Sequence, residues 1–350
     1  MKISKIYTYP IKGIRATELD SAVVTKHGFP YDRRYMLLQV LDDGGHKNMA
    51  IAHYPQMSRF FPTINSPPAD GDGDALDGTF TVTHKPPGGE ERSIDIPLKP
   101  STDALEEIEV TMHQSPAKAY KMDQKYTDFF CATFGFPCIL VYLGADLRRV
   151  RMSVNGTKPV LPAQASSGWL ASLSSKASQL VTGPAAGSEP DSRITFADCA
   201  PYLVVSDKSM EDVHPRLQGD EGEEYDIIKF RPNLVVSGAA AVWEEDFWAE
   251  LTIAGTTKIV CEHNCARCKS LNIDYDRGAP GTGKAGQMLK KLMGDRRVDP
   301  GSKWSPVFGR YSFLHAGSEG HVVRVGDEVV VSQRNEARTV FDWEGLHTLK

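Results

Sequence analysis

Over about the first 120 positions, apolar residues come in short runs bounded by Gly, Pro or charge, without the three-to-four spacing of an amphipathic helix. Ile3 to Tyr9 reads as a strand ending at Pro10, and Tyr35 to Leu41 as a second that runs into the turn Asp42-Asp43-Gly44-Gly45. Thr79 to Thr83, Ile94 to Leu98 and Ile108 to Met112 are further short strands. Strands of this length and spacing predict a barrel or sandwich. A helix is expected over about Gln124 to Thr133, stopped at Gly135, and Cys138 to Leu143 then reads as a buried strand.

Between Ser153 and Ser192 the pattern disappears and Ser, Ala, Gly and Pro take over, as in a long connection. Strands resume at Tyr202 to Val205, Leu234 to Val236, Leu251 to Ile253 and Lys258 to Cys261, then at Tyr311 to Leu314, Val322 to Val325 and Glu328 to Val331. Helical stretches are expected after a possible N-cap at Ser206, near Glu245 to Glu250, and from about Lys284 to Met293. The expected organisation is mainly β with a few helices (α+β). A β-barrel-like unit covers 1–150, a connection 151–192, a second β unit 193–331, and a loose tail 332–350.

Composition bounds the function. The 350 residues include 41% hydrophobic positions, mean hydropathy is −0.33 and net charge is −5, so the chain has a soluble composition and no bulk basic field for nucleic acid or an anionic membrane. Any anion must be held locally. No apolar run reaches the ~18 residues of a membrane span, and the mixed start Met1-Lys2-Ile3-Ser4 does not read as a signal-peptide core, so neither a signal peptide nor a membrane anchor is expected. Six cysteines are too few for a disulfide scaffold, so a reduced, cytoplasmic protein is expected.

Three of those cysteines fall within Cys261-Glu-His-Asn-Cys265-Ala-Arg-Cys268. They could be small buried hydrophobes. With His263 they could bind zinc, although a structural zinc site prefers separated knuckles. Their C-x3-C-x2-C spacing matches an iron–sulfur loop of radical enzymes, but it sits late in the chain among strands. Alternatively, Cys268 alone is a thiolate ligand and its neighbours shape a pocket for an anionic cofactor. A second motif, Gly278-Ala-Pro-Gly-Thr-Gly283-Lys284, mimics a phosphate-binding loop. Ala285 stands where Ser or Thr should hold magnesium, and polar Asp274 to Arg277 precede it in place of a buried strand, so a turn into a helix is expected instead.

Several separated segments then align with one family. They are Tyr9-Pro-Ile-Lys12-Gly13, Asp32-Arg33-Arg-Tyr35, Asp198-Cys199-Ala-Pro201, Phe230-Arg231-Pro-Asn233, Asn264-Cys-Ala-Arg267-Cys268 and Ser305-Pro-Val-Phe-Gly-Arg-Tyr311. In this order they resemble MOSC-domain proteins that carry an N-terminal β-barrel domain, and within them the mitochondrial amidoxime reducing component group. The resemblance implies a molybdenum cofactor (molybdenum bound to molybdopterin), with Cys268 completing the metal's sulfur set as the catalytic ligand. It implies that Lys12, Gly13, Arg33, Asp198, Cys199, Arg231, Asn233, Arg267 and Tyr311 line the cofactor. A soft thiolate suits such a metal, and Arg267 beside it would favour the ionised thiol. Arginine forks match phosphate oxygens. Where relatives carry hydroxyl side chains this chain has Gly13, Cys199 and Ala200, so backbone amides are expected to substitute.

The same resemblance implies a reductase of N-hydroxylated compounds such as amidoximes and hydroxylamines. No dinucleotide fingerprint is present, so electrons are expected from outside; the resemblance implies that they come from NADH through cytochrome b5 and an NADH-cytochrome b5 reductase, and that the protein associates with mitochondria through such partners. The alternative is a cofactor carrier related to the molybdenum cofactor sulfurases, without their pyridoxal-phosphate half and without N-reductive turnover.

Overall fold

The computed structural model describes residues 1–65, 78–158, 192–217 and 225–346. The protein is mostly strands with few helices, as the pattern predicts. In the first half, one sheet orders His46–Asn48, Tyr35–Val40, Cys138–Tyr142, Ser115–Lys121 and Glu107–Met112. A second orders Phe60–Ile64, Thr79–His84 and Arg92–Pro97. Tyr35, Leu37 and Leu140 of the first pack with Phe60, Phe80 and Ile96 of the second in one core. The helix Gln124–Phe134 adds Phe129 and Phe130 to that core and ends at Gly135, whose φ of +73° suits a left-handed cap.

The second half is built on an eight-stranded sheet. Its order is Thr17–Leu19, Lys2–Thr8, Leu234–Ser237, Tyr202–Ser206, Val307–Leu314, Thr257–Ala266, Trp248–Ile253 and Val329–Arg334. Only Tyr202–Ser206 and Leu234–Ser237 run parallel among these neighbours. The first strand of the chain thus belongs to the sheet of the late residues, pairing Ile6 with Leu234 and Ile3 with Val236. This stitch runs across the expected division at residue 150. It also brings Tyr9 to Gly13, which follow that strand directly, beside elements more than 200 residues away, as in the bond from Tyr9 Oη to the Pro232 carbonyl.

Three local expectations need correction. The stretch from Glu245 is no helix: a 3-10 turn over Glu244–Phe247 leads into the strand Trp248–Ile253. Its acidic side chains serve the interior, where Glu245 takes a hydrogen bond from Ser209 and Asp246 takes two from Arg296. These tertiary contacts override the helical propensity of the run. Around Ser206 only a 3-10 turn and a single helical turn, Met210–Val213, form, and the Ser206 side chain makes no capping bond.

The tail is not loose. The last strand continues to Arg334, and Phe341 and Trp343 are buried against Val150, Met152, Ile194 and Phe313. The Phe341 amide donates to Asp299 Oδ1 at 3.1 Å, and the Trp343 indole donates to the His113 carbonyl at 3.1 Å. Apolar burial and satisfied polar atoms hold this segment where sequence polarity suggested none. Of the expected connection, residues 159–191 lie outside the described residues, as do 347–350 of the tail.

Candidate functional site

Each segment singled out from sequence brings one piece of a basic wall. After the first strand the chain turns at Gly13, whose φ is +90° and whose missing Cβ would lie 2.5 Å from Met57 Cε. The positive φ is what favours glycine there, since the tip of the Met57 side chain can shift. The turn presents Lys12, whose ammonium donates to the Phe196 carbonyl at 3.1 Å and to Asp198 Oδ1. Burial lowers the Lys12 pKa, with Asp198 opposing. Partial burial pushes the Asp198 carboxyl up, but Lys12 and His113 outweigh it and hold it well below the usual carboxylate range. His113 Nε2 lies 3.3 Å from Asp198 Oδ1.

Arg33 and Arg231 form the centre. The Arg33 guanidinium pairs with buried Asp32 and donates to Asn233 Oδ1 at 3.0 Å and to the Arg231 carbonyl at 3.2 Å. Burial opposes its charge, yet Asp32 and its other neighbours raise its pKa. Both guanidiniums lie over the Tyr9 ring, Arg33 at 4.3 Å and Arg231 at 4.4 Å from its centroid. Asn233 is 1% exposed and spends its amide on the Tyr7 carbonyl and the Leu203 amide, so it fixes the two strands together and braces Arg33. Arg33 and Arg231 are both left-handed, with φ of 51° and 58°. Such a conformation costs a non-glycine residue about 1–3 kcal/mol, a strain typical of functional positions.

The cysteines are separated by the path of their strand. Thr257–Ala266 slips register against Val307–Leu314 between Cys261 and His263, and again between Asn264 and Ala266. These irregularities re-aim the side chains. Cys261 packs into one core with Ile3 and Trp248, while Cys265 packs into another with Tyr9 and Phe230. His263 turns to the Ser153 carbonyl at 2.9 Å. Cys268, beyond the strand's end, is exposed, with its sulfur 3.2 Å from Ser270 Oγ. The four candidate zinc ligands therefore do not converge, and two cysteines are the small core residues that the plainest reading expected.

Arg267 corrects a sequence expectation. Its Nη1 donates to Cys265 Sγ at 2.8 Å and its Nη2 to the Phe230 carbonyl at 2.6 Å, so its direct thiol partner is Cys265 and not Cys268. Burial lowers its pKa, but Cys265, Tyr311 and Cys268 together raise it above the ordinary value. Burial pushes the thiols of Cys199 and Cys265 up, and the Tyr311 hydroxyl well above its usual range, beside those two thiols. Arg148 was not singled out, because an arginine in a charged stretch carries no signal. It is fully buried and clamps the Thr195, Ala197 and Asp198 carbonyls, which sets the segment carrying Asp198 and Cys199. His113 was missed because a lone histidine in an uncharged turn carries no signal, whereas Asp32 stood inside one of the aligned segments without a role.

The pieces form one continuous chain. Arg267 bonds the carbonyl of Phe230, the neighbour of Arg231; Arg33 bonds the carbonyl of Arg231; the Arg33 carbonyl accepts from the Phe196 amide at 2.9 Å; and the Phe196 carbonyl accepts from Lys12. Lys12 and Arg33 have carboxylate partners, but Arg231 and Arg267 have none among the described residues. Arg267 Nε is buried without a hydrogen-bond partner. A desolvated, uncompensated cation is costly unless an anion meets it. The donor set fits an anionic pterin phosphate alongside one accessible thiol. Arg231, Arg267, Arg33 and Lys12 could hold the phosphate and ring oxygens, and Cys268 could supply sulfur to the metal.

Residues 1–136 match the MOSC N-terminal beta barrel domain and residues 191–330 match the MOSC domain. The human mitochondrial amidoxime-reducing component 1 is 32% identical over 144 residues, 40% of this chain and 39% of the relative. The rat mitochondrial amidoxime reducing component 2 is 38% identical over 141 residues, 39% of this chain and 38% of the relative. The molybdenum cofactor sulfurase of Oryza sativa is 22% identical over 281 residues, 79% of this chain but 29% of the relative. The matches thus span well under half the length of these relatives. Matched in this order, the chain carries a MOSC domain and, before it, the MOSC N-terminal β-barrel domain.

Proposed function

We propose that this protein is a molybdenum-cofactor-dependent reductase of N-hydroxylated compounds, amidoximes and hydroxylamines among them. The observation that carries the reading is the exposed Cys268 thiol at one end of a wall whose two carboxylate-free guanidiniums, Arg231 and Arg267, await an anion. The names of the amidoxime-reducing relatives support it. When bound, the cofactor supplies two-electron chemistry that no side chain here possesses. The protein's part is to fix it: Cys268 as thiolate, Arg231 and Arg267 on its anionic groups, Arg33 and Lys12 beside them, each braced by a carboxylate. The overall change is R–NHOH plus two electrons and two protons to R–NH2 plus water. The electrons would come from NADH through a cytochrome b5 type carrier and its reductase, in a cytoplasmic setting.

The test joins composition to turnover. Purified protein should hold molybdenum near one per chain and reduce benzamidoxime when NADH, cytochrome b5 and its reductase are added. Cys268→Ala should fold normally, since the thiol is exposed, and lose turnover. Unchanged activity in that variant would remove the ligand assignment. A second reading, a cofactor carrier, is favoured by the sulfurase relatives, whose alignment runs over 79% of the chain. Protein loaded with molybdenum but inert toward N-hydroxylated compounds would select it.

A further inference from the structure

Two cysteines outside the basic wall stand sulfur to sulfur. Cys131 lies in the last turn of the helix Gln124–Phe134, and Cys138 opens the strand Cys138–Tyr142. Only Gly135, Phe136 and Pro137 lie between the two elements. Gly135 ends the helix in a left-handed cap, and the chain then lays the start of the strand against the turn that holds Cys131. The Cys131 thiol donates to the Cys138 carbonyl at 3.2 Å, and the Cys138 amide donates to Cys131 Sγ at 3.2 Å. The backbone of Cys138 thus holds the Cys131 sulfur from two sides, 3.7 Å from Cys138 Sγ.

We propose that Cys131 and Cys138 form a modification site, a reversible dithiol–disulfide pair that a hydroperoxide closes. Their burial divides the roles. Cys131 is half-buried and open to a small oxidant, whereas Cys138 is 1% exposed. Burial, with Cys131 beside it, pushes the Cys138 thiol up, so Cys138 stays protonated and reacts second. In the first step the Cys131 sulfur takes the terminal oxygen of the hydroperoxide. An S–O bond forms, the O–O bond breaks, and the thiol proton leaves with the alcohol, which makes Cys131 a sulfenic acid. In the second step the Cys138 sulfur attacks that of Cys131. The S–S bond forms, the S–O bond breaks, and the hydroxyl departs as water with the Cys138 proton. The two sulfurs have then given two electrons to the peroxide bond, and a dithiol reductant returns them.

A disulfide places its sulfurs about 2.0 Å apart, so closure draws these two together by about 1.7 Å. Cys131 sits at a helix end, where the backbone yields most readily. Once formed, the bond pins that end to a strand paired along its length with Tyr35–Val40. In a reducing compartment such a bond is transient, which suits sensing better than scaffolding. The pair shares no residue with the wall and does not rest on the cofactor reading.

Trypsin should release residues 126–148 as one fragment, which carries both cysteines and no third. The full chain is treated with tert-butyl hydroperoxide, quenched, denatured and alkylated with iodoacetamide before digestion. The fragment should be two hydrogens lighter than its dithiol form and carry no alkyl group. Dithiothreitol before alkylation should restore both alkylation sites. The oxidised protein should melt roughly 2–5 °C above the reduced one. Cys131→Ser and Cys138→Ser should each abolish the loss of mass, and half-buried Cys131 supplies the deciding variant if Cys138→Ser folds poorly. Three results would overturn the proposal: both cysteines alkylated under oxidation that has already modified exposed Cys268, Cys131 driven to sulfinic acid with Cys138 free, or an oxidised form that melts no higher than the reduced one. A protein that reduces N-hydroxylated compounds yet never forms the bond would sink this proposal alone. An inert protein that forms it would sink only the reductase reading.

Discussion

Glu245→Gln isolates one buried ionisation. Glu245 is fully buried; one carboxyl oxygen accepts from Ser209 Oγ at 2.8 Å and the other has no partner. Burial pushes its pKa from 4.5 up to about 7, with Ser209 opposing and neighbouring Asp246 adding to the rise. The folded state therefore holds this proton more tightly than the unfolded chain does. Its contribution to stability is complete below the unfolded value near 4.5, declines as pH climbs, and levels off above about 7. At about 1.4 kcal/mol per pKa unit, the loss between pH 5 and 8 is roughly 2–3 kcal/mol. Glutamine keeps the shape and cannot ionise. Urea unfolding at pH 5, 6, 7 and 8 should show the wild type losing roughly 2–3 kcal/mol relative to Glu245→Gln across that range. A difference between the two proteins that stays constant with pH would refute the reasoning.

Other outcomes follow from single contacts. Gly13→Ala should destabilise by about 1–3 kcal/mol through its positive φ, measured by urea midpoint, and a neutral effect would mean that the turn relaxes freely. Asp32→Asn leaves Arg33 buried without its counter-charge and should cost about 3–5 kcal/mol; a loss below ~1 kcal/mol would show that Asn233 and the Arg231 carbonyl suffice. Phe341→Ala should cost about 3–5 kcal/mol in the same assay, and a cost near zero would restore the view of a loose tail.

What the sequence disclosed depended on whether the information was local. Strands such as Tyr35–Val40 and the helix stopped by Gly135 were legible because a short apolar run ending in a turn and a left-handed cap are written within a few residues. The segments carrying Lys12, Arg33, Arg231, Asn233 and Arg267 were legible as motifs, and the structure joins them through a run of hydrogen bonds. The fates of Cys261 and Cys265 were not legible, because two register slips decide which way each thiol turns and no spacing rule records a slip. Nor was the anchoring of Phe341, whose partners Val150 and Ile194 lie far away in sequence. The left-handed backbone of Arg33 and Arg231 was invisible for a related reason: nothing about arginine advertises it.

The stitch made by the first strand has a consequence for how this chain is born. One edge of Lys2–Thr8 pairs locally with Thr17–Leu19, but the other finds its partner only when Leu234–Ser237 has been made, and the bond from the Ile3 amide to the Asp327 carbonyl needs residues later still. A polypeptide emerging from a ribosome would carry those seven residues with one edge open, a half-apolar ribbon, through most of its synthesis. Closure is a long-range event, slow in proportion to the loop that must be drawn shut, and the wall around Arg33 cannot assemble before it happens.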